Sequence, residues 1–161
     1  MPTLDRILVP VDFSETSKAG LIAAVKMAER LGASVHLLYV WTAPVFLAPT
    51  AKIRVTSAKT VELGDLVRQD VDELMTALIA RTLSDSTVQL TKEIVFGDPA
   101  TAIITAAEHF DLVVMGTHQR KGPLRLWLGS VAEKVVRLSP VPVLTVPRRD
   151  DAKDAAATTA A

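Results

Sequence analysis

Leu112-Val-Val-Met115, Gly116, Thr117-His-Gln-Arg-Lys-Gly122, Gly129-Ser130, Val131-Ala-Glu-Lys-Val-Val-Arg-Leu138, Ser139-Pro140 and Val141-Pro-Val-Leu-Thr-Val146-Pro147 follow one another along one stretch of the chain. The pattern reads as a strand, a polar and basic loop, a helix and a second strand. The apolar run stops at Gly116, where the lack of a Cβ lets the chain turn sharply out of the strand. Gly129 and Ser130 then place free backbone N–H groups and a hydroxyl at a helix N-terminus. Those first N–H groups have no partner within the helix, and the helix dipole favours negative charge beside them. Such a terminus is an anion site, and phosphate is its natural guest.

The chain before this stretch alternates in the same way. Ile7-Leu-Val-Pro-Val11 reads as a buried strand ending at Asp12, with Ser14 as the N-cap of a helix whose apolar face carries Leu21, Val25, Ala28 and Leu31. Gly32 stops that helix. A second strand spans 34–41. Residues 42–57 have no clear period and contain Pro44 and Pro49, so they read as a loop, with Val45, Phe46 and Leu47 apolar enough to fold over something. Apolar residues at 63, 67, 71, 74 and 78 predict a long helix over about 59–82. Alternation over 88–95 predicts a strand near a sheet edge. Gly97 turns the chain, and Asp98-Pro99 starts a helix with a cap and a proline at its first position. That helix presents Ala102, Ile103, Ala106, Ala107 and Phe110 and ends at Asp111.

This order of elements predicts an α/β fold: a doubly wound, five-stranded, mostly parallel sheet with helices on both faces. With strand order 3-2-1-4-5, the order reverses between the first and fourth strands, where ligands of such sheets sit. Asp12 and Gly116 then face one crevice. Residues 1–147 form the single domain. Residues 148–161, charged and then rich in Ala and Thr, read as a disordered tail.

Composition removes several classes of function. The 161 residues are 49% hydrophobic but only 4% aromatic, so the core is aliphatic. The formal net charge of +0 argues against a general electrostatic grip on nucleic acid or an anionic membrane. With no cysteine there is no disulfide, thiolate metal site or cysteine nucleophile. No signal peptide and no membrane-spanning run are evident, which points to the cytoplasm, without membrane insertion. Neither a Gly-x4-Gly-Lys-Ser/Thr loop nor a Gly-x-Gly-x-x-Gly after the first strand is present. The ordinary ATPase and dinucleotide-enzyme readings therefore fall away, and no Ser–His–Asp arrangement can be argued.

The residues as a set resemble the universal stress protein family, over nearly the whole domain. Ile7-Leu-Val-Pro-Val-Asp-Phe-Ser14 is similar to that family's first strand and turn. The family's nucleotide loop, Gly-x2-Gly-x9-Gly-Ser/Thr, is matched by Gly116-Thr-His-Gln119, nine residues, then Gly129-Ser130. The resemblance implies an ATP site, possible with Mg²⁺, in a homodimer that regulates a partner in the stress response. By position it implies Asp12 at the ribose, the backbone of Val40 at the adenine edge and Pro10 lining the same pocket. Met115, Gly116, Gln119, Gly129, Ser130 and Val131 would hold ribose and phosphates. It also implies dimerisation by antiparallel pairing of the last strand, 141–146, and an exposed Val-rich edge strand suits that role.

Gln119 departs from the family pattern, which has glycine there. If the backbone must be left-handed at that position, a side chain costs about 1–2 kcal/mol, or about tenfold in affinity. A hydrogen bond from the Gln amide would recover part of this.

Simpler roles exist beside these. Asp12 could cap the first helix, Gly116 could serve only the turn, and Ser130 could be only an N-cap. Arg120, Lys121 and Arg125 could pair with phosphates or form a solvated basic loop. His118 could act as an acid or a phosphate ligand or be a loop histidine without a role, the second being favoured; His109 suits a helix C-terminus, and Trp127 suits packing or an interface more than cofactor stacking. No metal cluster and no general base for hydrolysis are evident, so at most slow ATP hydrolysis is expected. The alternative reading of the whole chain is a nucleotide-free dimeric scaffold of the same fold.

Overall fold

The computed structural model describes residues 3–83, 86–117 and 129–147. Its elements are β1 (Arg6–Pro10), α1 (Glu15–Leu31), β2 (Ser34–Trp41), β3 (Lys52–Arg54), β4 (Thr60–Glu62), α2 (Leu63–Thr82), β5 (Leu90–Phe96), α3 (Pro99–Ala107), β6 (Leu112–Thr117), α4 (Ser130–Leu138) and β7 (Val143–Pro147). Five strands form one sheet in the order β5-β2-β1-β6-β7, and every pair in it is parallel. In the numbering of the five main strands this is the expected 3-2-1-4-5 order.

Helices cover both faces, so the central strands are apolar without alternation. Ile7 and Val9 of β1, Val35 and Leu37 of β2 and Val114 of β6 form one core with Leu21, Ala24, Val25 and Ala28 of α1 and Val71 and Met75 of α2. Leu8, Leu38, Val113 and Met115 point to the other face and meet Ile103 and Ala107 of α3 and Ala132 and Val135 of α4. Edge strand β5 instead alternates, with Lys92 reaching α2 through Asp72 at 2.6 Å.

Local chemistry explains the helix ends. The Ser14 hydroxyl accepts from Ser17 N at 3.2 Å, and Gly32 closes α1 in a left-handed conformation, φ 71°. The Asp98 carboxylate accepts from the Thr101 N–H at 2.9 Å and the Thr101 hydroxyl at 2.8 Å. These bonds, that from the backbone N–H first, hold the Asp98 carboxyl below its ordinary 3.8.

Several sequence expectations are corrected. The segment read as a loop contains β3, which pairs antiparallel with β4; the pairs are Lys52 with Glu62, Ile53 with Val61 and Arg54 with Thr60. Alternating short runs around the turn at Thr56 and Lys59 form this hairpin, and α2 consequently starts at Leu63 rather than near 59. Val45 and Phe46 fold over nothing, being 95% and 94% exposed. β5 starts at Leu90, two residues later than Val88. α3 ends at Ala107, so Phe110 lies beyond it and its ring faces His36 at 5.2 Å. Asp111, beyond the helix, accepts from the N–H groups of Asp5 and Arg6 at 3.0 and 2.8 Å and so holds the start of β1. The last strand begins at Val143, not Val141. Pro140 and Pro142 have no N–H to give a ladder, and Pro142 only accepts, from Val113 N at 3.0 Å. The tail expected over 148–161 lies outside the described residues. No helix among the described residues is long and apolar enough to cross a membrane.

Candidate functional site

The carboxyl ends of β1, β2 and β6 meet the first turns of α1, α3 and α4 around a cavity of about 300 Å³, at the low end of the size range of small-molecule sites. It lies where the strand order reverses, because the chain leaves β1 for β2 on one side and β6 flanks β1 on the other. Pro10 and Asp12 come from the end of β1 and the turn after it, Val40 from the end of β2, and Met115 and Gly116 from β6. Gly129, Ser130 and Val131 come from the start of α4. Eight of the nine site residues expected from sequence therefore line one cavity. The ninth, Gln119, lies outside the described residues, as do His118, Arg120, Lys121, Arg125 and Trp127.

Asp12 is the one carboxylate among the described lining residues. Its Oδ1 accepts from Ser14 N at 3.0 Å and from the Ser14 hydroxyl. Its own N–H donates to the Ser17 hydroxyl at 3.3 Å, and that hydroxyl donates to Ser14 O at 3.0 Å. Asp12 thus takes part in the cap of α1 while it lines the cavity. Thr16, with its hydroxyl 2.8 Å from that of Ser14, continues the same polar wall.

Gly116 has a different role from the one expected. It is an interior residue of β6, and its φ is not among the positive values, which among the described residues belong to Gly32, Gly97 and Phe13. No turn requires it. What requires glycine is α1, whose first turn lies directly on it: a Cβ at Gly116 would overlap the Thr16 carbonyl and lie 2.8 Å from Ser17 N. One helical turn on, a Cβ at Gly20 would lie 2.7 Å from Gly116 N. Two glycines back to back bring the helix onto the strand and shape the cavity wall formed by Thr16, Ser17 and Gly116.

At α4 the N-cap is Gly129 and Ser130 is the first helical residue, so Ser130 is not the cap. Gly129 has φ −58°, and no side chain caps the first turn among the described residues. The N–H groups of Ser130, Val131 and Ala132 precede the first intrahelical bond, from Glu133 N to Gly129 O. They are unpaired donors in the helix sense, at the positive end of the dipole and at the cavity. Leu38, Val40, Ile103 and Met115 supply apolar walls. The arrangement brings apolar walls, a carboxylate and backbone donors to one cavity.

Thr16, Ser17, Leu38, Pro99 and Ile103 also line the cavity and were not read as site residues from the sequence. A signal for them existed. In a doubly wound sheet, the first turn of each helix that follows a strand lies at the carboxyl edge; Thr16, Ser17 and Pro99 occupy such turns, and Ile103 lies one turn on from Pro99. His36 is elsewhere, bonded to the Thr91 hydroxyl at 2.7 Å and 3.4 Å from the Glu93 carboxylate. No group of three or more His, Cys, Asp or Glu side chains among the described residues could hold a metal ion.

Comparison with known proteins follows the same outline. Residues 3–147 match the model of the Universal stress protein family. Universal stress protein MJ0531 of Methanocaldococcus jannaschii is 29% identical over 143 residues, covering 88% of this chain and 81% of that protein. Universal stress protein MJ0577 of the same organism is 30% identical, covering 90% and 96%. The solved MJ0577 structure superposes with a TM-score of 0.66, at 26% identity, over 93% of this chain and 100% of that one. A universal stress protein solved in complex with cAMP shares the fold, with a TM-score of 0.64 at 17% identity over 91% and 98% of the two chains. The sheet order, the extent of the family match and these relatives agree: this chain belongs to the universal stress protein family.

Proposed function

We propose that the cavity binds an adenine nucleotide, ATP in the first instance, and that the protein is a cytoplasmic homodimer whose ligand state regulates a partner in the stress response. The observation that carries this reading is convergence. Pro10, Asp12, Val40, Met115, Gly116, Gly129, Ser130 and Val131 come from four separate parts of the chain and line one cavity at the strand-order reversal. The apolar slot between Pro10, Val40 and Met115 suits a purine, with backbone groups at Val40 for its edge. Asp12 suits ribose hydroxyls. The uncapped first turn of α4 suits phosphate. The universal stress protein solved with cAMP carries an adenine nucleotide on the same fold. Magnesium would arrive on the phosphates, since Asp12 is the one lining carboxylate among the described residues.

The dimer is supported by an apolar edge. β7 ends the sheet, α4 packs beside it, and Val136, Leu138 and Leu144 are 44%, 54% and 38% exposed.

The direct test is to purify the protein without added nucleotide, denature it and chromatograph the released small molecules against nucleotide standards. Calorimetry with ATP and Mg²⁺ then follows. Near-stoichiometric ATP or ADP, or a calorimetric isotherm, is expected. Gln119→Gly should tighten ATP by up to about tenfold, if that position needs the freedom glycine has. An empty chromatogram with no heat of binding would turn the reading to a nucleotide-free scaffold.

A further inference from the structure

Phe13 is the residue next to Asp12, and its backbone is unusual. It is the one non-glycine residue with positive φ among the described residues, at 62°. The left-handed region is uncommon for any side chain and a real outlier for a bulky one, so something must hold it. The Phe13 ring lies on Tyr39, with centroids 5.1 Å apart and planes at 32°. Both rings pack against the core between the sheet and α1 and α2. Tyr39 is not among the cavity residues, although its neighbours Leu38 and Val40 are. Two consecutive residues therefore diverge, Asp12 to the cavity and Phe13 to the core. The turn between them lets Ser14 N reach back to Asp12 Oδ1.

We propose that Phe13 is a positioning residue for Asp12: its stack on Tyr39 locks a left-handed turn that aims the Asp12 carboxylate at the ribose hydroxyls of a bound nucleotide. This rests on the nucleotide reading above. The turn after β1 is short, and without the ring its backbone would sample other conformations, most easily so with glycine at that position. Asp12 would then lose its fixed approach to the ribose, while the purine slot and the α4 N-terminus would remain. The consequence is specificity as well as affinity. A held carboxylate that accepts from ribose hydroxyls distinguishes a ribonucleotide from its 2′-deoxy form, whereas a wandering one does not.

The test is calorimetry with ATP and dATP on the wild type, Phe13→Gly, Tyr39→Ala and Tyr39→Phe, with amide hydrogen exchange at Ser14 on the free proteins. A hydrogen bond to a charged group is worth roughly tenfold in affinity or more, so the wild type should prefer ATP over dATP by about that factor. Phe13→Gly and Tyr39→Ala should reduce the preference to below about threefold, and Tyr39→Phe, which keeps the ring, should retain it. Ser14 exchange should quicken by about tenfold in Phe13→Gly. Equal weakening of ATP and dATP, with the preference intact, would overturn the proposal and leave Phe13 a purely structural residue. If the wild type binds both nucleotides equally, the ribose contact is wrong and the proposal falls while nucleotide binding stands. If the wild type binds neither, the nucleotide reading falls, and Ser14 exchange alone decides whether Phe13 holds the turn: an unchanged rate refutes it. Phe13→Gly, which removes the other ring of the stack, keeps the test decisive should Tyr39→Ala fail to fold.

Discussion

Replacing Gly116 by alanine separates packing from ligand binding at this site. The added Cβ would overlap the carbonyl oxygen and carbon of Thr16 and lie 2.8 Å from Ser17 N. All of these are backbone atoms in the first turn of α1, so no side-chain rotation relieves the clash. Either α1 lifts off β6 or the strand bends. Both disturb Leu21, at 0% exposure, and Val25, at 2%, which α1 buries against the sheet. The Gly20–Gly116 approach, 2.7 Å for a Cβ placed on Gly20, must open at the same time. Overpacking commonly costs about 1–3 kcal/mol, and a rigid backbone neighbour places this substitution at or above the upper end. Against a total stability of about 5–15 kcal/mol, that is a large share. In urea followed by circular dichroism, with a slope of about 1–3 kcal/mol/M, a 3 kcal/mol loss moves the midpoint down by about 1–3 M. Gly129→Ala is the internal control, since its φ is −58° and a Cβ there meets nothing within 4 Å among the described residues. It should change stability by less than about 1 kcal/mol. A Gly116→Ala protein with the wild-type midpoint, measured without nucleotide, would refute the packing argument and return Gly116 to a ligand or turn role.

Other expectations follow from particular bonds. Ser14→Ala removes the cap of α1 and one partner of Asp12, and should cost about 1 kcal/mol in thermal or urea unfolding; an unchanged midpoint would mean that water replaces the hydroxyl without loss. Asp98 gives a pH signature. Its folded pKa is lowered, so its contribution is complete above the ordinary value of 3.8 and is lost as the pH falls through the lower folded value. The melting-temperature gap between wild type and Asp98→Ala should accordingly be widest near neutrality and shrink in strong acid, and a gap that grows in acid would contradict the sign. For the proposed dimer, Leu144→Lys puts a charge on the exposed edge of β7. Light scattering should give a dimer mass for the wild type and a monomer mass for the variant, and identical masses would remove β7 from the interface.

Much of the site was legible because it is written in local chemistry. Ser14, Gly32 and Asp98 terminate helices by their own backbone and side-chain preferences, and these hold in the structure. The helix start at Gly129-Ser130 holds as well, and it needed no distant contact to be read. The β3–β4 hairpin does not show in the sequence because three-residue strands give too few alternations: β3 lies in a proline-containing segment that reads as a loop, and β4 lies at the start of the stretch whose period reads as a helix. Asp111 was read as a helix end, since nothing nearby in sequence reveals that its partners are the N–H groups of Asp5 and Arg6, more than a hundred positions away.

The sequence by itself determined the alternation of elements, the aliphatic core, the parallel doubly wound sheet and the residues that gather at its reversal point. Periodicity and capping are properties of neighbours along the chain, and right-handed crossovers leave few ways to assemble them. Only the tertiary structure decided why particular residues are what they are. Gly116 is glycine because α1 crosses it, Asp12 both caps a helix and lines a cavity, and Phe13 takes a left-handed backbone while its ring rests on Tyr39. Each of these depends on the distance between segments remote in sequence, a quantity that no local pattern of residues encodes.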